Sequence, residues 1–317
     1  MGLTLVTGAS GFVGSYLVRE MTERGLAVRG VSRKAKLGLV TVPTYGPEAD
    51  WTQHLQDVEN VVHLAARVHV MRETAQDPLA AFRFANVAST LNLAHQAAQA
   101  GVKRFVFVST IKVNGEQTEP GRPFTAGDPP NPKDPYATSK AEAEAALLEL
   151  SKTSGLEIVI IRPPLVYGPG VGGNFQRLMK WASSGLPSPF ADIKNRRSLV
   201  FVGNLCDLLI ATLSHPRAAN GIFLVCDQRA LSTHELLQNL SLASGKKLKS
   251  VRFPPSVFSA LAGLPFPTGA ALARLINNLE VDATDTERQL TWRPAHDGLT
   301  SIQRTQSEFE SKEQIDH

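Results

Sequence analysis

The chain has 317 residues, enough for one large domain or two smaller ones, and its 43% apolar content supports a substantial core. The net charge of +4 is modest, with Lys, Arg, Asp and Glu mixed along the sequence. That pattern argues against nucleic acid as a partner and suits an anionic small molecule. Two cysteines, Cys206 and Cys226, both in apolar surroundings, give no disulfide framework and fit a reducing, cytoplasmic setting. The sequence enters a strand pattern at once, so no signal peptide is expected. No spacing fits a metal site: His63 and His69, flanking a strand end, read as ordinary packed or surface histidines.

Leu3 to Thr7 reads as a buried strand, Gly8-Ala9-Ser10-Gly11-Phe12-Val13-Gly14 as a glycine-rich turn, and the next residues as a helix with Val13, Leu17, Val18 and Met21 on one side. In that order they make a pyrophosphate cradle. Gly8 permits the tight turn, Gly11 lets backbone approach phosphate, and Gly14 lets the helix pack on the strand. The helix start presents free N–H groups to the anion. Gly8, Ser10, Gly11, Phe12, Val13 and Gly14 are therefore the expected cofactor-binding residues. The second strand, Ala27 to Arg33, ends where an NAD site usually carries an acid for the ribose hydroxyls. Ser32, Arg33 and Lys34 stand there instead. A hydroxyl and a cation suit a 2′-phosphate, so NADP(H) is favoured and NAD(H) stays open.

Residues 35–57 read as irregular, with Pro43, Gly46 and Pro47 followed by Trp51 and Leu55 on a short helix. Asn60 to Ala66 is a buried strand running into small residues that leave room for a cofactor, with Leu64, Ala65 and Ala66 as its expected contacts. Asn86 to Gln99 is helical and stops at Gly101, and Arg104 to Thr110 is the next strand. A long Gly/Pro-rich loop, Asn114 to Pro135, has the character of an active-site lid. It ends at Tyr136-Ala137-Thr138-Ser139-Lys140, the opening of an Ala/Glu-rich helix running to about Lys152. Glu157 to Arg162 is another buried strand, followed by Pro163. Strands alternating with helices predict an α/β, Rossmann-type doubly wound parallel sheet over residues 1–170.

The alternation weakens over 171–317, the expected smaller C-terminal α/β substrate-binding lobe, with 198–227 returning to the first domain. Asn174 begins a helix with Phe175, Leu178, Met179 and Trp181. Ser198 to Val202 is extended, Asn204 to His215 helical, and Ile222 to Cys226 a strand. Ser232-Thr233-His234-Glu235 caps a further helix. Residues 256–273 carry no charge, yet Pro265, Pro267 and Gly269 forbid a membrane-spanning helix. A pocket wall or buried helix is the first reading there, and a membrane-surface contact the second. The polar tail after Phe309 reads as frayed.

Tyr136 and Lys140, four residues apart, share one helical face. A free tyrosine, with a pKa of about 10, cycles protons poorly near neutrality, and an ammonium one turn away favours its phenolate. Ser109 or Thr110, at the end of the preceding strand, supplies a hydroxyl for the substrate oxygen. Together they transfer a proton at that oxygen while hydride moves at the attached carbon.

With the glycine turn, this set resembles the extended short-chain dehydrogenase/reductase superfamily, in its NAD-dependent epimerase/dehydratase family. The resemblance spans nearly the whole chain. Its marks are Thr7-Gly8 to Gly14, His63-Leu64-Ala65-Ala66, Asn86, Ser109-Thr110, Tyr136 to Lys140, Arg162-Pro163 with Val166-Tyr167-Gly168-Pro169, and Leu290-Thr291-Trp292. Aligned on Val113-Asn114-Gly115, Thr110 takes the catalytic hydroxyl position and Ser109 supports it. Pro163, Tyr136 and Lys140 join the cofactor-binding set. The family commonly acts on nucleotide diphosphate sugars, which implies Asn174 and Arg197, and more weakly Arg274, at the diphosphate. The homodimer common among relatives, through the helices at 86–99 and 136–152, is implied as well.

Within the family, 4,6-dehydratases carry Asp-Glu after the catalytic Thr, where this chain has Ile111 and Lys112, so dehydration is disfavoured. The stretches Ser109 to Glu116 and Arg162 to Gly170 are similar to bacterial UDP-4-keto-6-deoxy-N-acetylglucosamine 4-reductases of O-antigen synthesis. NAD(P)H-dependent reduction of a C4 ketone is therefore the first expectation, giving a UDP-N-acetylquinovosamine-type product. A UDP-sugar 4-epimerase with tightly held NAD is the alternative. A non-catalytic dinucleotide-sensing module is the alternative of another class, and such modules tend to lose the Tyr/Lys pair kept here. Association with a membrane or a membrane-bound glycosyltransferase stays open through residues 256–273.

Overall fold

Apolar, β-branched runs pair side by side as parallel strands, and the intervening amphipathic segments cover both faces as helices. A computed structural model describes residues 1–42, 44–68, 75–254, 258 and 267–315. Among these the strands are β1 (Leu3–Thr7), β2 (Val28–Ser32), β3 (Val40–Thr41), β4 (Val58–His63), β5 (Arg104–Val108), β6 (Glu157–Arg162), β7 (Leu165–Tyr167), β8 (Leu199–Phe201) and β9 (Ile222–Leu224). Seven make one parallel sheet in the order β3-β2-β1-β4-β5-β6-β9, and β7 and β8 make a second, two-stranded one. The helices are α1 (Phe12–Glu23), α2 (Pro78–Arg83), α3 (Ser89–Gln99), α4 (Pro135–Ser154), α5 (Gly173–Ser184), α6 (Val202–Thr212), α7 (Thr233–Ala243), α8 (Pro267–Ile276), α9 (Thr284–Leu290) and α10 (Gly298–Ile315). This is the doubly wound, Rossmann-type α/β fold.

Strand alternation sorts the core. Val6, Val62, Val106 and Val159 stand in register across the sheet and enter the cluster that holds Leu17 of α1 and Leu205 of α6. Their neighbours Leu5, Val61, Phe105 and Ile158 face the other way, into the cluster holding Leu93 of α3 and Leu147 of α4. Strand order reverses between β1 and β4, so a crevice opens outside the carboxyl ends of those strands.

Three expectations change, and two short strands are added. Trp51 and Leu55 lie on consecutive turns instead of a helix, both buried as core anchors. The helix placed at 86–99 opens with a π-helical turn, Phe84–Ala88, before α3. α10 continues to Ile315, past the point where fraying was expected. The short β3 and β7 have too few residues to show a period. His69 and most of the uncharged 256–273 stretch lie outside the described residues. Within that stretch Phe258 is buried against Phe190, and α8 begins at Pro267.

Candidate active site

The glycine turn forms between β1 and α1. Gly8 has φ +68°, and a Cβ on it would lie 2.8 Å from the amide nitrogen of Ala65. A Cβ on Gly14 would overlap the Gly8 carbonyl oxygen, so α1 presses directly on the turn. No side chain caps α1 at Gly11, which leaves its first N–H groups for a ligand. Leu64, Ala65 and Ala66 form the opposite wall. The Thr7 hydroxyl accepts the amides of Leu64 (3.2 Å) and Ala65 (3.3 Å) and lies 2.8 Å from His63 Nδ1. His63 Nε2 is 3.0 Å from the Thr90 hydroxyl. Burial, and secondarily the Lys140 ammonium, pulls His63 down to about 3, so it is a neutral strut between two hydroxyls. At the end of β2, buried Ser32 donates to Ser10 Oγ (3.1 Å) and Arg33 is exposed beside it. An uncapped helix start, a turn too tight for side chains and a cation at the strand end fit a nicotinamide dinucleotide.

The helix that carries Tyr136 and Lys140 starts where the sequence provides a cap. Asp134 accepts the Ala137 amide (2.7 Å), and Pro135 takes the first helical position. Tyr136 therefore sits in the first turn and Lys140 one turn on, with Tyr136 edge-on to Phe82. Lys140 is buried. Its ammonium donates to the Val108 carbonyl (2.7 Å) and lies 3.7 Å from the centre of the Phe107 ring. Burial pulls it down to about 7, against the opposing pull of Glu144. Tyr136 is pushed above its ordinary value, by burial first and by the Asp134 carboxylate second. The shift runs opposite to the lowering expected from Lys140, which is not among its causes: the ammonium points to the β5 carbonyl. Thr110 is half-buried, its hydroxyl accepting the Lys112 amide at 3.3 Å, and the buried Ser109 hydroxyl has no partner among the described residues. The carbonyl of buried Pro163 accepts the Ile111 amide (2.9 Å), tying the end of β6 to this strand end.

Asn86 clamps the site from the side. It accepts the Arg67 amide (2.8 Å), donates to the Arg67 carbonyl (3.1 Å) and donates to Ser139 (3.0 Å), one residue before Lys140. From below, buried Glu144 receives Arg162 in a forked pair with its closest contact at 2.5 Å. Arg162 also donates to Asn114 (3.0 Å), and Asn114 donates to the Thr125 carbonyl (2.9 Å), so α4, β6 and the long loop are held together.

Asn174, Arg197 and Arg274, far apart in sequence, meet on one cavity of about 330 Å³. Arg177 joins them. Sequence reasoning missed it, although it lies three residues after Asn174 and so on the same helical face. Arg197 donates to the Asn277 carbonyl (3.0 Å); burial first and Arg274 second pull it down to about 10. Among the described residues none of these three arginines forms an ion pair, so the cavity presents uncompensated positive charge in a largely apolar wall. Asp134 and Glu144 were also missed. The Asp-Pro pair before the helix was a legible cap signal, whereas Glu144 has only its spacing from Lys140.

Comparison with known proteins yields a match between residues 4–226 and the family described as "NAD dependent epimerase/dehydratase family". A curated relative from Vibrio cholerae, named UDP-glucose 4-epimerase, is 42% identical over 96% of this chain and 94% of its own length. The solved UDP-glucose 4-epimerase of Thermus thermophilus, in complex with NAD, superposes with a TM-score of 0.77 at 25% identity, covering 97% of this chain and 99% of that one. RMD from Pseudomonas aeruginosa, complexed with NADPH, superposes with a TM-score of 0.75 at 23% identity, covering 98% and 99%.

Proposed function

Because the chain belongs to the NAD dependent epimerase/dehydratase family, we propose that it is an enzyme that oxidises and reduces C4 of a UDP-sugar, and that it works as a 4-epimerase. The observation that carries this reading is the 42% identity, end to end, to a protein named UDP-glucose 4-epimerase. A bound nicotinamide dinucleotide would take the C4 hydride and return it. Tyr136 takes the O4 proton as the C4 hydride leaves, and gives it back when hydride returns to the opposite face of the ketone. Lys140 supports Tyr136, Thr110 orients O4, and Ser109 backs Thr110. Asn174, Arg197 and Arg274 hold the diphosphate while the hexose turns over. Gly8 to Gly14 take the dinucleotide phosphates, with Leu64 to Ala66 and Pro163 lining the nicotinamide end. Two free cysteines go with a cytoplasmic setting, and no helix among the described residues is long and apolar enough to cross a membrane. Exposed Phe84, beside α3, supports a homodimer through α3 and α4, which the molar mass in solution tests.

One observation favours the 4-ketoreductase expected from sequence. Ser32 and Arg33 stand where NAD enzymes carry an acid, which suits NADPH and net reduction. Dehydration has no support: Ile111 is buried and Lys112 is paired with Asp134 (2.5 Å) and Glu116 (3.2 Å).

The test is to incubate the purified protein, without added cofactor, with UDP-glucose and UDP-N-acetylglucosamine separately, and to follow the sugar protons by NMR. Appearance of the C4 epimer supports the proposal. In parallel, NADPH and NADH absorbance is followed with UDP-4-keto-6-deoxy-N-acetylglucosamine. Stoichiometric loss there, with no epimer in the first assay, overturns epimerisation in favour of reduction. Inactivity in every arm overturns both readings.

A further inference from the structure

Apart from the cavity, the C-terminal lobe carries a surface of unusual charge. No Asp or Glu occurs between Glu235 and Glu280, while Lys246, Lys247, Lys249 and Arg252 crowd the middle of that stretch. All four are exposed. Among the described residues Lys247 and Lys249 pair with no carboxylate. Arg252 reaches only Asp192 at 3.8 Å, and Lys246 donates to the Ser183 carbonyl and faces Glu310.

Large exposed apolar side chains gather at the same place: Leu186 (61% exposed), Leu242 (63%), Val251 (43%) and Phe253 (42%). Backbone bonds bring the segments that carry them side by side. The Ser188 amide donates to the Lys249 carbonyl and the Val251 amide to the Ser188 carbonyl, both at 2.8 Å, which sets the segment after α5 beside 249–251. The Lys246 amide bonds back to Ser241 (2.9 Å), placing the lysines over the end of α7 near Leu242. Cations interleaved with exposed apolar side chains are what an anionic bilayer surface selects: headgroups attract the charges, and the apolar side chains enter the interface. The patch lies at the end of α5, the helix that supplies Arg177, Leu178 and Trp181 to the cavity.

We propose that this face, Lys246, Lys247, Lys249 and Arg252 with Leu186, Leu242, Val251 and Phe253, docks the enzyme on membranes rich in anionic phospholipid. Attachment is peripheral and reversible, and it brings the cavity-lining helix to the membrane surface. The inference does not depend on whether the enzyme epimerises or reduces.

Flotation of the full-length protein with vesicles of equal parts phosphatidylglycerol and phosphatidylcholine tests it, with pure phosphatidylcholine vesicles in parallel. The expected result is binding to the anionic vesicles alone, weakened by salt. Each removed cation should lower partitioning about fivefold, so the Lys247→Gln/Lys249→Gln variant should bind about 25-fold less. Val251→Ser/Phe253→Ser should also lose binding. These residues lie outside the catalytic and cavity sets, so unchanged circular dichroism and turnover of soluble substrate show that the variants fold. Equal flotation with both vesicle types, no flotation at all, or variants that float like the parent chain overturns the proposal. So does lipid-free self-association abolished by the same variants, which would assign the face to a second copy of the chain.

Discussion

The two groups proposed to handle protons are pushed in opposite directions by their environments. Tyr136 is held protonated by burial and by Asp134, and Lys140 is brought to about 7 by burial. Tyr136→Phe should reduce turnover by about two to four orders of magnitude, because the ring stays in place while the transferable proton is lost. Steady-state rates check this, with dinucleotide binding and circular dichroism expected to match the parent protein. Stability should carry the mark of a different residue. His63 titrates near 6.5 unfolded and about 3 folded, so its contribution is complete above 6.5 and is lost as pH falls toward 3. At pH 5 the loss amounts to about 2 kcal/mol. Chemical denaturation at pH 7 and pH 5 should show it, and His63→Gln should flatten the difference.

Among the elements, α1 depends most on a single atom that is absent. The carbonyl of Gly8 occupies the place where residue 14 would carry a Cβ. Gly14→Ala should therefore push α1 off the turn, destabilise the fold by about 1–3 kcal/mol and weaken dinucleotide binding. Denaturation midpoints and titration with NAD and NADPH measure both effects. This element was legible in sequence because every part of it is local: a strand, three spaced glycines and a helix in consecutive residues. The Tyr136/Lys140 pair was legible for the same reason, being one helical turn. What sequence did not reveal is held by long-range contacts. The Glu144–Arg162 fork joins α4 to β6, and the direction of the Lys140 ammonium depends on a carbonyl of β5. Trp51 and Leu55 suggest a helix by spacing, yet the turns that carry them are set by packing, with the Trp51 amide donating to Gln96 of α3 (2.7 Å). The cavity arginines were nameable only through family resemblance, since no local pattern joins Asn174, Arg197 and Arg274.

On the scale of the whole molecule, the cavity and α4 are linked by one continuous set of bonds. Arg197 donates to the Asn277 carbonyl, and Asn277 donates to Gln117 (2.9 Å) on the long loop. The loop is fastened again where the Phe124 amide meets the Glu280 carbonyl (2.9 Å), and Asn114 then joins it to Arg162 and so to Glu144 of α4. Two roles for Arg197 follow, and kinetics separates them. As an anchor for a diphosphate, Arg197 binds the ground state and the transition state alike, because the charge it meets does not change during reaction at C4. Its removal then raises KM and spares kcat. As a brace for the loop, it would instead set the geometry at Thr110 and Tyr136, and its removal would lower kcat. The Asn277 carbonyl is held independently by Asn195 (3.2 Å), so the brace survives without Arg197. Arg197→Ala should therefore raise KM for a UDP-sugar about 10- to 100-fold, the loss of one charge-assisted hydrogen bond, with kcat nearly unchanged. Initial rates across substrate concentration decide the matter, and a fall in kcat at unchanged KM would move Arg197 from the anchor to the brace.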